Sequence, residues 1–244
     1  MALKSSLMIF FQNMNLIQNK PVIVAIVGIA AIFAIAYSEF LLGDWNQLPG
    51  TGDDLMPYLN WLHFDVEKIR QGQLPTINDQ IYCGNYPEYA SPLSPIWYPP
   101  ALVLFYFFNE AVAYRLFVLL HLGLAVFTFW TFSKRFSDNP WFRGFGTAAY
   151  GLSGAFVALL LWGPLALLAA YAWFPLFVHF LADGLEKNNR KSAVIAGGIL
   201  GVIELAGSQY FVFWGVLLAV VIAAHLWFVE KKNAGKTGLW AASG

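Results

Sequence analysis

A chain of 244 residues that is 59% hydrophobic and only 11% charged cannot clothe a soluble domain, which carries about 25% charged residues. Fourteen basic residues balance fourteen acidic ones, so no net field favours nucleic acid or an acidic partner. The mean hydropathy is +0.58, and the charges gather between long apolar runs, which is the pattern of a polytopic membrane protein. Cys83 is the single cysteine, so a disulfide within the chain and a cysteine-based metal site are both excluded.

The first apolar run, Pro21–Leu42, is about 33 Å long as a helix, enough for a bilayer core of about 30 Å. The small-x-small triplet Ala34-Ile35-Ala36 imitates a signal cleavage site, but a signal core would be roughly half as long. This run is expected to be a span. Five more spans are predicted at Ala111–Phe132, Phe145–Trp162, Leu165–Ala182, Ser192–Gln209 and Tyr210–Val229. Two of these are broken up, one by Pro164 and Pro175 and one by Glu204. Neighbouring helices can satisfy the carbonyls that a proline frees. The stretch Ala101–Phe108 is too short to span; it either dips into the interface or prolongs the second span.

Lysine and arginine set the orientation. With the N-terminus in the cytoplasm, the inner segments hold Lys4, Lys20, Lys134, Arg135, Arg143, Lys187, Arg190, Lys191, Lys231, Lys232 and Lys236. The outer side keeps Lys68 and Arg70, and Arg115 falls near the outer end of the second span. The expected architecture is therefore an all-α transmembrane bundle of about six spans, N-terminus inside, forming a single domain over 1–244 in the cytoplasmic membrane.

An extracytoplasmic loop over about 43–98 follows the first span. It carries Asp44, Asp53, Asp54, Asp65, Glu67, Asp79 and Glu88 against two basic residues. Leu55, Leu59, Leu62, Val66 and Ile69 are spaced 4, 3, 4 and 3 residues apart, the stripe of an amphipathic helix lying along a membrane surface. From Leu74 to Pro100 there are six prolines, which predicts no regular element. Loops of this length usually have a job.

The loop motifs are Asp54-Leu55 leading into an aromatic helix, Arg70-Gln71-Gly72-Gln73-Leu74-Pro75, Cys83-Gly84-x-x-Pro87, Ala90-x-Pro92 and Tyr98-Pro99-Pro100. In the apolar part follow Leu120-His121, Tyr150-Gly151-Leu152-Ser153-Gly154, Trp173-Phe174-Pro175-Leu176 and Ala206-Gly207-Ser208-Gln209. This series, in order over about 40–220, resembles the YfhO-like branch of the GT-C membrane glycosyltransferase superfamily. Such enzymes commonly have more spans, so the resemblance covers the N-terminal half of their architecture. It implies a GT-C-like fold, a polyprenyl-phosphate-linked sugar donor, and an acidic residue of the first outer loop as catalytic base.

Transfer from a lipid-phosphate sugar needs a carboxylate to accept the acceptor's proton and fixed charge to hold the departing phosphate. Asp54 fits the base by motif position, with Asp53 beside it; the competing reading is helix capping. Arg115 is the candidate phosphate clamp, against an ion pair with Glu110 or snorkelling. Glu204, Gln209 and His121 complete the candidate substrate-binding set. Their competing readings are a helix contact for Glu204 and His121 and a turn or cap for Gln209. Asp65, Glu67 and Asp79 read as solvated loop charges. His63, His121, His179 and His225 are scattered without ligand spacing, and no cofactor is indicated; a divalent cation is compatible with the chemistry but not called for. No phosphate loop or nucleophile elbow is present, which disfavours a nucleotide sugar. The expected partners are membrane lipids and a lipid-linked sugar donor. The rival class is a non-catalytic membrane subunit that uses the same shell to pack against partner proteins. A transporter would call for inverted repeats, and none is found.

Overall fold

Every regular element in the computed structural model is a helix; it describes residues 20–49, 55–75 and 94–241. In chain order these are α1 (Lys20–Ala36), α2 (Ser38–Leu42), α3 (Leu55–Arg70), α4 (Pro99–Phe107), α5 (Glu110–Ser133), α6 (Pro140–Gly151), α7 (Gly154–Trp162), α8 (Leu165–Glu186), α9 (Arg190–Leu205) and α10 (Gln209–Ala241). Among the described residues, four stretches are long and apolar enough to cross a membrane: Glu110–Ser133, Pro140–Trp162, Leu165–Glu186 and Gln209–Phe228. The chain is a helical membrane protein.

Local chemistry explains where these helices start and stop. Asn109, Asn139, Ser153 and Asn189 each accept a bond from a free N–H of the first turn of α5, α6, α7 and α9. Pro140 follows its cap at the start of α6, and Pro99 opens α4, positions where a missing N–H costs nothing. Within Leu74–Pro100, therefore, the last two prolines do not prevent regular structure; they begin a helix. Phe108 and Asn109 then separate α4 from α5, so α4 does not prolong the second span.

Two predicted spans contain breaks. The first bends at Tyr37, between α1 and α2, and the third parts between Gly151 and Gly154. Carbonyls freed inside a bilayer must find donors. Tyr37 Oη donates to Gly151 O at 2.5 Å, and Tyr171 Oη donates to Tyr150 O at 3.1 Å. Tyr150 Oη donates in turn to Tyr171 O at 2.7 Å, with the two rings stacked 4.3 Å apart. Pro175, by contrast, leaves α8 unbroken from Leu165 to Glu186.

The packing centres on α8, which lies between α5 on one side and α9 with α10 on the other. α5 also carries α6 and α4, α6 receives α1, and α3 rests on α4. The amphipathic stripe is buried as expected: Leu59, Leu62 and Val66 are all shielded. They join one core with Phe105, Tyr114, Phe117 and Leu168, while Phe177, Ile199 and Ile203 form a second core between α8 and α9.

Candidate functional site

A polar cleft lies where α3, the end of α4 and the start of α5 meet the segment after α2. It encloses about 690 Å³ and is walled by Asn46, His63, Arg70, Asn109 and Glu110 with Phe105 and Phe108. α3 brings two side chains to it. His63 Nδ1 pairs with Glu110 Oε1 at 2.7 Å, joining α3 to α5. Arg70 donates to the end carbonyls of α4, Tyr106 O at 2.6 Å and Phe105 O at 3.2 Å, and bonds Glu67 one turn back. Cations at a helix C-terminus are favourable for the same reason that the last carbonyls are unpaired.

The Arg70-x-Gly72 turn has a physical account of its own. Gly72 has φ +71°, Gln73 N–H donates to Lys68 O and Gly72 N–H to Ile69 O. This is a Schellman cap, which favours glycine at the left-handed position. The Ala206-Gly207-Ser208 turn repeats it, with Gly207 at φ +84° between α9 and α10.

Arg115 finds neither Glu110 nor a surface. It is 2% exposed, and its guanidinium binds carbonyls of the segment after α1: Glu39 O at 2.5 Å, Asp44 O at 2.8 Å and Gln47 O at 3.1 and 3.2 Å. Trp45 lies 6.0 Å from the guanidinium carbon. Gly43 makes this approach feasible, since a Cβ there would sit 3.2 Å from both terminal nitrogens. Glu110, the sequence candidate for its partner, is committed to His63. The arginine thus pins the strap that leads toward Asp53 and Asp54. Those two acids, the candidate bases, lie outside the described residues, as does Asp79.

His121 is fully buried in the middle of α5. Trp173 Nε1 donates to Tyr98 Oη at 2.9 Å, and His121 Nδ1 meets Phe117 O at 2.7 Å. An indole can only donate and a carbonyl can only accept, so Tyr98 Oη donates to His121 Nε2 at 2.9 Å. Both ring nitrogens are used in a tie between α4, α5 and α8. That arrangement is the helix-contact alternative rather than a substrate contact. Glu204 and Gln209 are both exposed, one in the last turn of α9 and the other opening α10; neither borders the polar cleft. The structure brings none of Arg115, His121, Glu204 and Gln209 onto the cleft wall.

Asp65 corrects the sequence reading most sharply. It is not a solvated charge but fully buried on α3, with Ser94 Oγ donating to its Oδ2 at 3.1 Å. The signal was present in the spacing, because Asp65 follows Leu62 by three residues and so falls on the buried stripe. Among the described residues no three His, Cys, Asp or Glu side chains converge as a metal site. No family model matches the chain, and neither a curated protein nor a solved structure matches it.

Proposed function

We propose that this chain is a GT-C-like enzyme of the cytoplasmic membrane that transfers a sugar from a polyprenyl-phosphate-linked donor on the extracytoplasmic face. In this reading the N-terminus is cytoplasmic, the chain crosses six times, and α3 lies along the outer surface. Eleven of fourteen basic residues on one side support that orientation. The observation that carries the transfer reading is the polar cleft of about 690 Å³, roofed by an amphipathic helix and opening beside the strap that leads to Asp54.

The chemistry assigns Asp54 as the base. Its carboxylate takes the proton of the acceptor hydroxyl as that oxygen attacks the anomeric carbon; the bond to phosphate breaks and polyprenyl phosphate departs with the electron pair. The positive groups on the cleft wall are Arg70 and, when protonated, His63. Arg115 serves as a positioning residue, because it fixes Glu39, Asp44 and Gln47 ahead of the acidic pair. The catalytic test is full-length protein in liposomes with polyprenyl-phosphate sugars, reading release of polyprenyl phosphate. Asp54→Asn should abolish release while leaving expression and melting intact, since Asn caps a helix about as well as Asp. Release unchanged by Asp54→Asn would refute the assignment. For topology, Asp79→Cys and Asn188→Cys in a Cys83→Ser background should label from opposite sides of the membrane.

One observation favours the second reading, a non-catalytic subunit that packs against other membrane proteins. α10 presents Tyr210, Phe213, Trp214 and Leu217 outward, and only 6% of its membrane-length stretch is buried. Co-purification of a stoichiometric membrane partner, with no release from any donor, would select that reading.

A further inference from the structure

At the end of the bundle opposite the cleft, α5 and α8 finish beside one another and leave a cavity of about 370 Å³. Its wall consists of Lys134, Arg135, His179, Asp183 and Lys187. We propose that this cavity binds the phosphate of an anionic phospholipid from the leaflet that surrounds it. The inference rests on the membrane reading of the fold but not on the transferase reading.

The charges make the first argument. Asp183 is already occupied: Lys187 Nζ lies 2.6 Å from Oδ1, and Asn189 and Ser192 both donate to Oδ2. Arg135 pairs with Glu186, whose side chain is 46% exposed. Three cations against these two carboxylates leave one positive charge, and Lys134 has an exposed side chain just past the last turn of α5. A further group has a spare valence. His179 belongs to the wall, and its Nδ1 is buried with no hydrogen-bond partner among the described residues. A buried ring nitrogen left without a partner costs free energy that a bound oxygen or hydroxyl would recover.

Depth and size make the second argument. Glu110–Ser133 and Leu165–Glu186 are both long enough to span, so a cavity at their ends sits at headgroup level. A water occupies about 30 Å³ of liquid, so 370 Å³ gives room for a glycerophosphate headgroup. Basic pockets between spans on the cytoplasmic side are suited to phosphate headgroups.

The test uses the full chain purified in neutral detergent, with phosphatidylglycerol, phosphatidylcholine or inorganic phosphate added. Melting temperature and native mass spectrometry are the readouts. Phosphatidylglycerol should raise the melting temperature and remain bound, and phosphatidylcholine should do neither. Lys134→Gln/Lys187→Gln should weaken phosphatidylglycerol binding at least about tenfold, as each cation near an anionic surface is worth about a factor of five. Lys231→Gln/Lys232→Gln removes the same charge elsewhere on the basic side and should leave binding within about twofold. His179→Phe should lower affinity without changing the melting temperature of the lipid-free protein. Equal losses in both lysine pairs would overturn the proposal in favour of general surface attraction. Saturation by inorganic phosphate at millimolar concentration, with no preference for the lipid, would overturn the lipid assignment.

Discussion

The two sides of α8 hold their neighbours by different means. Toward α4, α5 and α6, the contact is apolar but threaded with polar ties. Trp173, Tyr98 and His121 form a chain, Thr128 Oγ1 donates to Ala172 O at 2.7 Å, and Tyr150 and Tyr171 exchange bonds. Toward α9 and α10 the core is Ala170, Phe177, Ala196, Ile199 and Ile203, and small residues set the distances. A Cβ on Gly184 would meet the Ala193 backbone at 3.0 and 3.1 Å. Half of the membrane-length stretch of α8 is buried, against 6% for α10. Lipid tails are as apolar as leucine, so apolar contact alone does not distinguish one helix arrangement from another in a membrane. Polar ties along the helices fix register on one side; on the other, close approach does so, with polar ties only at the helix ends, where Asn189 and Ser192 bond Asp183.

The largest expected break is at Arg115. Arg115→Met would remove the guanidinium that gathers Glu39 O, Asp44 O and Gln47 O, although Glu39 O and Asp44 O keep backbone donors. It should cost about 3 kcal/mol, the low end for removing one partner of a buried charged network. Arg115→Lys keeps the charge but not the fork, and should fall between. Unfolding in graded denaturant with the protein in mixed micelles measures both. A methionine variant as stable as the parent would show that the strap is held by other contacts.

Gly184→Leu addresses the opposite side. Overpacking there should cost about 1–3 kcal/mol. Because α9 would be pushed off α8, the loss should appear as faster hydrogen exchange and proteolysis around 187–189. Exchange in α5 should stay near the parent rate. Equal acceleration in α5 would mean that the bundle opens as one unit and that the two sides are not separable.

The same physics decided what was legible in the sequence. Hydropathy alone located α5 and α8 to within a few residues, and the 4-3-4-3 stripe gave α3 from Leu55 to Arg70. The break at Leu152-Ser153 leaves no mark in the sequence, because Tyr150 O and Gly151 O take hydroxyl donors from Tyr171 and from Tyr37, the latter more than a hundred positions away. Arg115 was recognisable as a residue with a task, but its partners are backbone carbonyls, which no side-chain pattern can reveal. Asp65 is hidden for the opposite reason: a carboxylate in an acidic loop reads as solvated, although its spacing from Leu62 puts it on the buried stripe. Arg115 and Glu204 stand out in the sequence as charged groups in or near apolar spans, and His121 and Gln209 as polar residues of the motif series. Helix packing separates them, since α8 stands between α5 and α9.

The smallest expected effect is also the most specific to the tied side, and it concerns the coupling of Tyr98 to His121. Tyr98→Phe removes the hydroxyl that accepts from Trp173 and donates to His121, leaving an indole N–H and an imidazole nitrogen unpaired. His121→Leu removes the ring and its bond to Phe117 O, yet leaves the Trp173–Tyr98 bond in place. If the chain is a working tie, the double variant should be less destabilised than the sum of the single ones. Hydrogen bonds between membrane helices average about 0.6 kcal/mol in such cycles, with a maximum near 1.7. The coupling energy should fall inside that range. The value is modest because a hydroxyl released inside the bundle finds other partners in the unfolded helices. A cycle pairing Tyr98→Phe with Gly184→Leu supplies the contrast, since these positions lie on opposite sides of α8 and should add within about 0.5 kcal/mol. Coupling in the second cycle as large as in the first would erase the distinction between the two sides. Additivity in both would show that the Tyr98–His121 bond carries no energy of its own, and that α4 is held to α5 and α8 by packing alone.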